Sequence, residues 1–126
     1  MPESQQEFIK RYREKIKKNP FRSWKDISRK GNHTWKIESV TFMSQSSLKE
    51  KILMIQRLRH VKESGEVAYK AGKTDRAEYR IGYYMLGRIG KRRDKWVWGQ
   101  SAPLIPHEDL FKLIELAKRE GTLLPV

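Results

Sequence analysis

Two aromatic-rich runs joined by a charged turn do most to limit what this chain can fold into. Residues 79–89, YRIGYYMLGRI, and 95–99, KWVWG, flank Gly90-Lys91-Arg92-Arg93-Asp94. Tyrosine, isoleucine, valine and tryptophan suit a pleated, half-buried surface. Two such runs separated by a short glycine-containing break predict a β-hairpin with a cationic tip. With a five-residue turn, Arg88 faces Trp96, Leu86 faces Trp98 and Tyr84 faces Gln100. Ile81, Tyr83, Met85, Ile89 and Val97 then form the opposite, continuously apolar face. This register hangs on the turn, because a one-residue change re-pairs the strands and alters which side chains share a face.

The other segments build around that hairpin. Residues 34–43, TWKIESVTFM, are rich in β-branched and aromatic types and predict a strand. An amphipathic basic helix is expected at about 4–18: Ser4 and Glu7 have capping-box spacing, and Phe8, Tyr12 and Ile16, with Ile9 alongside, form an apolar stripe. Its other face carries Lys10, Arg11, Arg13, Lys17 and Lys18, and Asn19-Pro20 stops it. A second helix is expected from about Ser47 to Glu63. Ser47 and Glu50 have capping-box spacing, and Leu48, Ile52, Ile55 and Leu58 recur at helical intervals. A third runs from about His107 to Glu120, with Leu110, Leu113, Ile114 and Ala117 inward and Gly121 as its stop. Trp24 and Ile27 fit a short helix capped by Ser23 with Asp26 at N3, followed by a Gly31-Asn32 turn. Residues 66–70 fit a short strand, 71–76 a loop, and 122–126 an edge strand or a tucked tail.

This order is that of an α+β protein: an antiparallel sheet with a basic-tipped hairpin, covered by helices, in one domain over 1–126. Without the first helix it approximates a ferredoxin-like split βαβ with an added hairpin. A winged helix-turn-helix, with 79–99 as wing, is the alternative, although strand-like 34–43 then sits where a helix pair belongs.

Charge narrows the partners. Lysine and arginine number 28 against 15 acidic residues, a formal net charge of +13. Such an excess costs self-repulsion in the compact state and raises affinity for phosphate polymers. A nucleic acid is therefore the expected partner, with an acidic protein as the alternative. There is no cysteine, which excludes disulfides, a thiol nucleophile and every cysteine-bound zinc site. No window approaches the roughly 18 apolar residues of a membrane helix, so no membrane partner is expected. The N-terminal MPESQQEFIKRYREK has no apolar core of a secretory signal, and a cytoplasmic location is expected.

Within the hairpin, Lys91, Arg92, Arg93 and Lys95 are the candidate phosphate contacts. Arg88, Trp96 and Trp98 are a candidate stacking platform, since aromatics beside cations bind single strands with little sequence demand. The competing reading makes both tryptophans core. Arg57, Arg59 and Lys62 on the expected middle helix extend the positive surface. Enzymatic readings find less support. His33, His60 and His107 have no metal-ligand spacing, and no Walker or dinucleotide fingerprint occurs. The residues a small metal-dependent nuclease would use here are Glu38, Glu78 and His33, but they lack the usual acidic-pair spacing. The chain is thus expected to bind nucleic acid without catalysis, metal or cofactor.

Overall fold

The structure, a computed structural model, describes residues 1–69 and 77–126. Its elements are α1 (Gln5–Lys18), β1 (Phe21–Lys25), β2 (Asn32–Gln45), β3 (Leu48–Ser64), β4 (Ala77–Leu86), β5 (Trp96–Trp98) and α2 (His107–Arg119). The strands form one antiparallel sheet in the order β1-β2-β3-β4-β5. The α+β class and the antiparallel sheet are as expected, and α1 carries both hydrogen bonds of its capping box. No helix among the described residues is long and apolar enough to cross a membrane.

The segment expected to be the middle helix is instead the longest strand, β3. Gln45 pairs with Leu48, so Ser46 and Ser47 form a tight turn and Ser47 caps nothing. The reason lies at Lys51–Gln56, which is buried throughout. Ile52 and Met54 join the core beneath α1, while Leu53 and Ile55 join the core beneath α2. A strand buried on both faces needs a continuous apolar run, and such a run also satisfies a helical template. With β2, β3 and β4 consecutive and paired, the strand order is neither ferredoxin-like nor that of a winged helix-turn-helix.

Trp24 likewise belongs to a strand rather than a short helix, and Ile27 is fully exposed. Trp24 pairs with His33 across the β1–β2 hairpin. Asp26 caps a bend there, accepting from the backbone N–H groups of Ser28 at 2.9 Å and Arg29 at 3.0 Å. Glu66–Tyr69 makes bends in place of the expected strand; Lys70 and the loop at 71–76 lie outside the described residues. The C-terminal residues form no strand, and Thr122 tucks fully inside.

The expected hairpin forms with a longer connection. β4 ends at Leu86 and β5 begins at Trp96. Tyr84 therefore faces Trp98, and Leu86 faces Trp96. The pairing slides by two residues, an even number, so every strand residue keeps its expected face. Gly87 anchors the loop: its N–H donates to the Lys95 carbonyl at 2.7 Å, and its carbonyl accepts from the Asp94 N–H at 2.9 Å. The Arg92 backbone lies where a Gly87 side chain would begin.

α1 packs Phe8 against the rings of Tyr84, Phe42 and Trp96, at centroid distances of 4.7, 6.0 and 6.0 Å. Burying a side chain of this size contributes about 1.5–3 kcal/mol. α2 places Leu113 and Ala117 on the opposite face. The sheet curls toward α1. Strands lie about 4.8 Å apart, so β1 and β4 would be about 14 Å apart in a flat sheet. Yet the guanidinium of Arg80 on β4 sits 4.3 Å from the Trp24 ring of β1 and 4.4 Å from the Trp98 ring of β5.

Candidate nucleic-acid interface

The β4–β5 loop meets the start of α1. The Glu3 N–H donates to the Asp94 carbonyl at 3.3 Å, and Trp96 Nε1 donates to the Glu3 carbonyl at 2.8 Å. Arg11 grips the Glu3 carboxylate with two hydrogen bonds of 2.8 and 2.9 Å. That pairing raises the Arg11 pKa and lowers that of Glu3. The loop is thereby fixed, yet Lys91, Arg92, Arg93 and Lys95 are all exposed and have no ion-pair partner among the described residues. From this point α1 runs for about 21 Å at 1.5 Å per residue. Lys10, Arg13 and Lys17 are exposed along it, again without ion-pair partners among the described residues.

The other candidates are distributed differently. Arg88 is exposed but pairs with Glu50, away from the tryptophans. Trp96 is 8% exposed and is core. Trp98 is half-buried, edge-on to Tyr84 and against Arg80. Arg57, Arg59 and Lys62 lie on β3, not on a helix. Arg57 bonds Glu38 and donates to the carbonyls of Gly121 at 2.6 Å and Thr122 at 3.2 Å, so it clips the end of α2. Arg59 also bonds Glu38. These two arginines lower the Glu38 pKa against the opposing effect of burial. Lys62 is exposed near the end of β3, far along the sheet from the β4–β5 loop.

At that far end, the described residues line a cavity of about 310 Å³. Trp24, Trp35, Tyr69 and Leu58 wall it, and His33, Glu78 and Arg80 supply polar groups. His33 is 3% exposed and fully engaged. Its Nε2–H donates to Asp26 Oδ2 at 2.6 Å, and its Nδ1 lies 2.9 Å from His60 Nε2, with one proton between the two rings. Asp26 also accepts from the Ala68 N–H at 2.9 Å. The N–H groups of Ala68 and Ser28, then the His33 ring, hold the Asp26 carboxyl well below the usual carboxylate range. Burial, and then the charge of His33, lower the pKa of His60. His60 stacks on Trp35 at 4.6 Å, and His33 stacks on Tyr69 at 4.3 Å.

The chain matches no family model, no curated protein and no solved structure.

The three nuclease candidates do not converge. His33 and Glu78 share the cavity, whereas Glu38 is held by Arg57 and Arg59 on the α2 side. Among the described residues, no three His, Asp or Glu side chains group as metal ligands. Sequence reasoning missed Asp26, His60, Tyr69 and Arg80 as members of one site. The available signal was the β1–β2 hairpin: once Trp24 pairs with His33, Asp26 falls beside the histidine ring.

Proposed function

We propose that this protein binds nucleic acid without catalysis, through phosphate contacts from the β4–β5 loop continued along α1. One observation carries the reading: the exposed cations of the loop and of the outer α1 surface have no ion-pair partners among the described residues, while Arg57 and Arg59 are spent on Glu38 and the fold. Exposed cations without internal partners are what a phosphate backbone would contact. Backbone contacts supply affinity without sequence information, so binding should be strong at low salt and largely indifferent to sequence.

Replacing Lys91, Arg92 and Arg93 together by alanine tests this. Each phosphate contact contributes about 0.7–0.9 to the slope of log affinity against log salt, so the slope should flatten by about 2–3. Far-UV circular dichroism should stay unchanged, because the loop's backbone hydrogen bonds remain. Parent-like binding by the triple variant at every salt concentration, or no binding by the parent at low salt, refutes the proposal.

A further inference from the structure

We infer that the open end of the curled face receives one unpaired base, so that the nucleic acid bound along α1 is a single strand. This rests on the nucleic-acid reading above and adds a class of ligand to it.

Arg80 is the first ground. It is half-buried on a sheet face, and burial lowers its pKa. No carboxylate among the described residues pairs with it; its Nε donates to Gln56 at 2.9 Å and its plane meets two tryptophan rings. A desolvated guanidinium normally takes a carboxylate or phosphate, in a bidentate fork. Here its remaining N–H groups have no acceptor among the described residues, and the side chain lines the cavity. A ligand bringing carbonyl oxygens would complete it.

The second ground is the walls. Trp24, Trp35 and Tyr69 line a cavity of about 310 Å³. That is at the small end of ligand cavities, about 300–1,000 Å³, and suits one flat ring system. Tyr69 is 40% exposed but steadied by the His33 ring, which Asp26 and His60 hold fixed. A nucleobase supplies a π face for the walls, and uracil, thymine, cytosine and guanine add carbonyl acceptors for Arg80. In a duplex those edges are paired and the faces stacked, so only an unpaired base can enter.

The third ground is placement. The loop and the cavity lie at opposite ends of β4, about 27 Å apart at 3.4 Å per residue, with α1 bridging much of the distance. A strand of several nucleotides spans both, within the usual 4–16 nucleotides of single-strand sites.

The test uses the full chain and labelled twelve-nucleotide single strands of RNA and DNA, a blunt two-stranded duplex and a mononucleotide, by fluorescence anisotropy or competition at low salt. The parent should prefer a single strand, and Tyr69→Ala should weaken single-strand binding by roughly 5- to 150-fold, the worth of one stacked base. Duplex binding should not change. Tyr69 lies outside every strand, so folding should survive; Trp24→Leu, checked by its melting curve, gives a second reading. A 4-thiouridine strand should crosslink to the peptides holding Trp24 or Tyr69. Equal duplex and single-strand affinity, or both variants binding single strands like the parent, overturns the inference while phosphate binding by the loop stands. A mononucleotide binding as tightly as the strand overturns it in favour of a free nucleotide. Absence of all binding at low salt removes both proposals.

Discussion

Gly82→Ala should be among the most damaging single-methyl changes in this protein, and it tests whether Trp98 is held across the sheet as described. Gly82 has ordinary backbone geometry, so alanine is not excluded by φ. In an unhindered strand the change would remove glycine's conformational penalty and stabilise by about 0.5–1 kcal/mol. At this position the new methyl meets the Trp98 ring, closest at Cη2, with Cζ3 at 2.8 Å and Cζ2 at 3.0 Å. The indole must lift off β4 and surrender its contact with Arg80. Overpacking costs about 1–3 kcal/mol, and a partly desolvated cation–π contact adds about 0.5–2 kcal/mol. A net loss of about 0.5–4.5 kcal/mol follows, or about 2–18 °C in Tm for a domain of this size. Urea denaturation and near-UV circular dichroism measure the loss and the displaced tryptophan. The decisive comparison repeats the substitution in a Trp98→Leu background. There the obstacle is gone, and Gly82→Ala should become neutral or stabilising. The difference between backgrounds should reach about 2 kcal/mol or more, which marks direct coupling. An equal cost in both backgrounds would refute the reasoning, since glycine would then be needed for some cause other than the indole.

Further outcomes follow from the buried polar groups. Because the His60 pKa is lowered in the folded state, the unfolded chain takes up that proton first. Stability is then full above the ordinary histidine value of 6.5 and is lost as pH falls from there through the lowered folded value, so Tm should drop on acidification below about pH 6.5. Glu63 and Glu78 oppose this trend in part, and His60→Gln should flatten the slope. Asp26 adds to the loss at lower pH: its folded pKa is depressed, so its contribution is present above the usual aspartate range and disappears as pH falls through the lowered value. Arg57→Ala should cost about 1–3 kcal/mol in denaturation, because it strips two carbonyls and Glu38 of a charged donor. The same variant should leave the salt slope of nucleic-acid binding unchanged; a flattened slope would return Arg57 to the interface.

What the sequence made legible was set by how each element is buried. Segment 34–43 carries β-branched and aromatic residues on a strand whose ends are partly exposed, and its pattern was readable. Segment 47–63 lies between two helices, so Ile52, Leu53, Met54 and Ile55 are all core, on alternate faces. That removes the polar alternation by which a strand is known, and the spacing of Leu48, Ile52, Ile55 and Leu58 then mimics a helix. The face assignment of the second hairpin survived an error in turn length only because the slip was even. α1 and α2 were legible because each buries a single stripe. The candidate site divides in the same way. Lys91, Arg92, Arg93 and Lys95 follow from a local charged turn. Arg80, Trp24 and Trp98 come from β4 and the two edge strands, and only the curl of the sheet brings them together.

The cations themselves separate the demands of folding from those of function. Arg57 and Arg59 neutralise Glu38, and Lys51 donates to the Leu104 carbonyl at 2.8 Å. Each of these has a partner within the fold, so folding accounts for them. The loop cations and Lys10 and Lys17 are different, for they satisfy no buried group among the described residues. Concentrated in a chain of net charge +13, they repel one another and should make the folded state slightly less stable than a neutralised surface would. A charge that costs stability and completes no internal contact needs a reason outside the fold. For the loop cations, held in place through Glu3 and Trp96 yet unpaired among the described residues, a polyanion is the partner we propose.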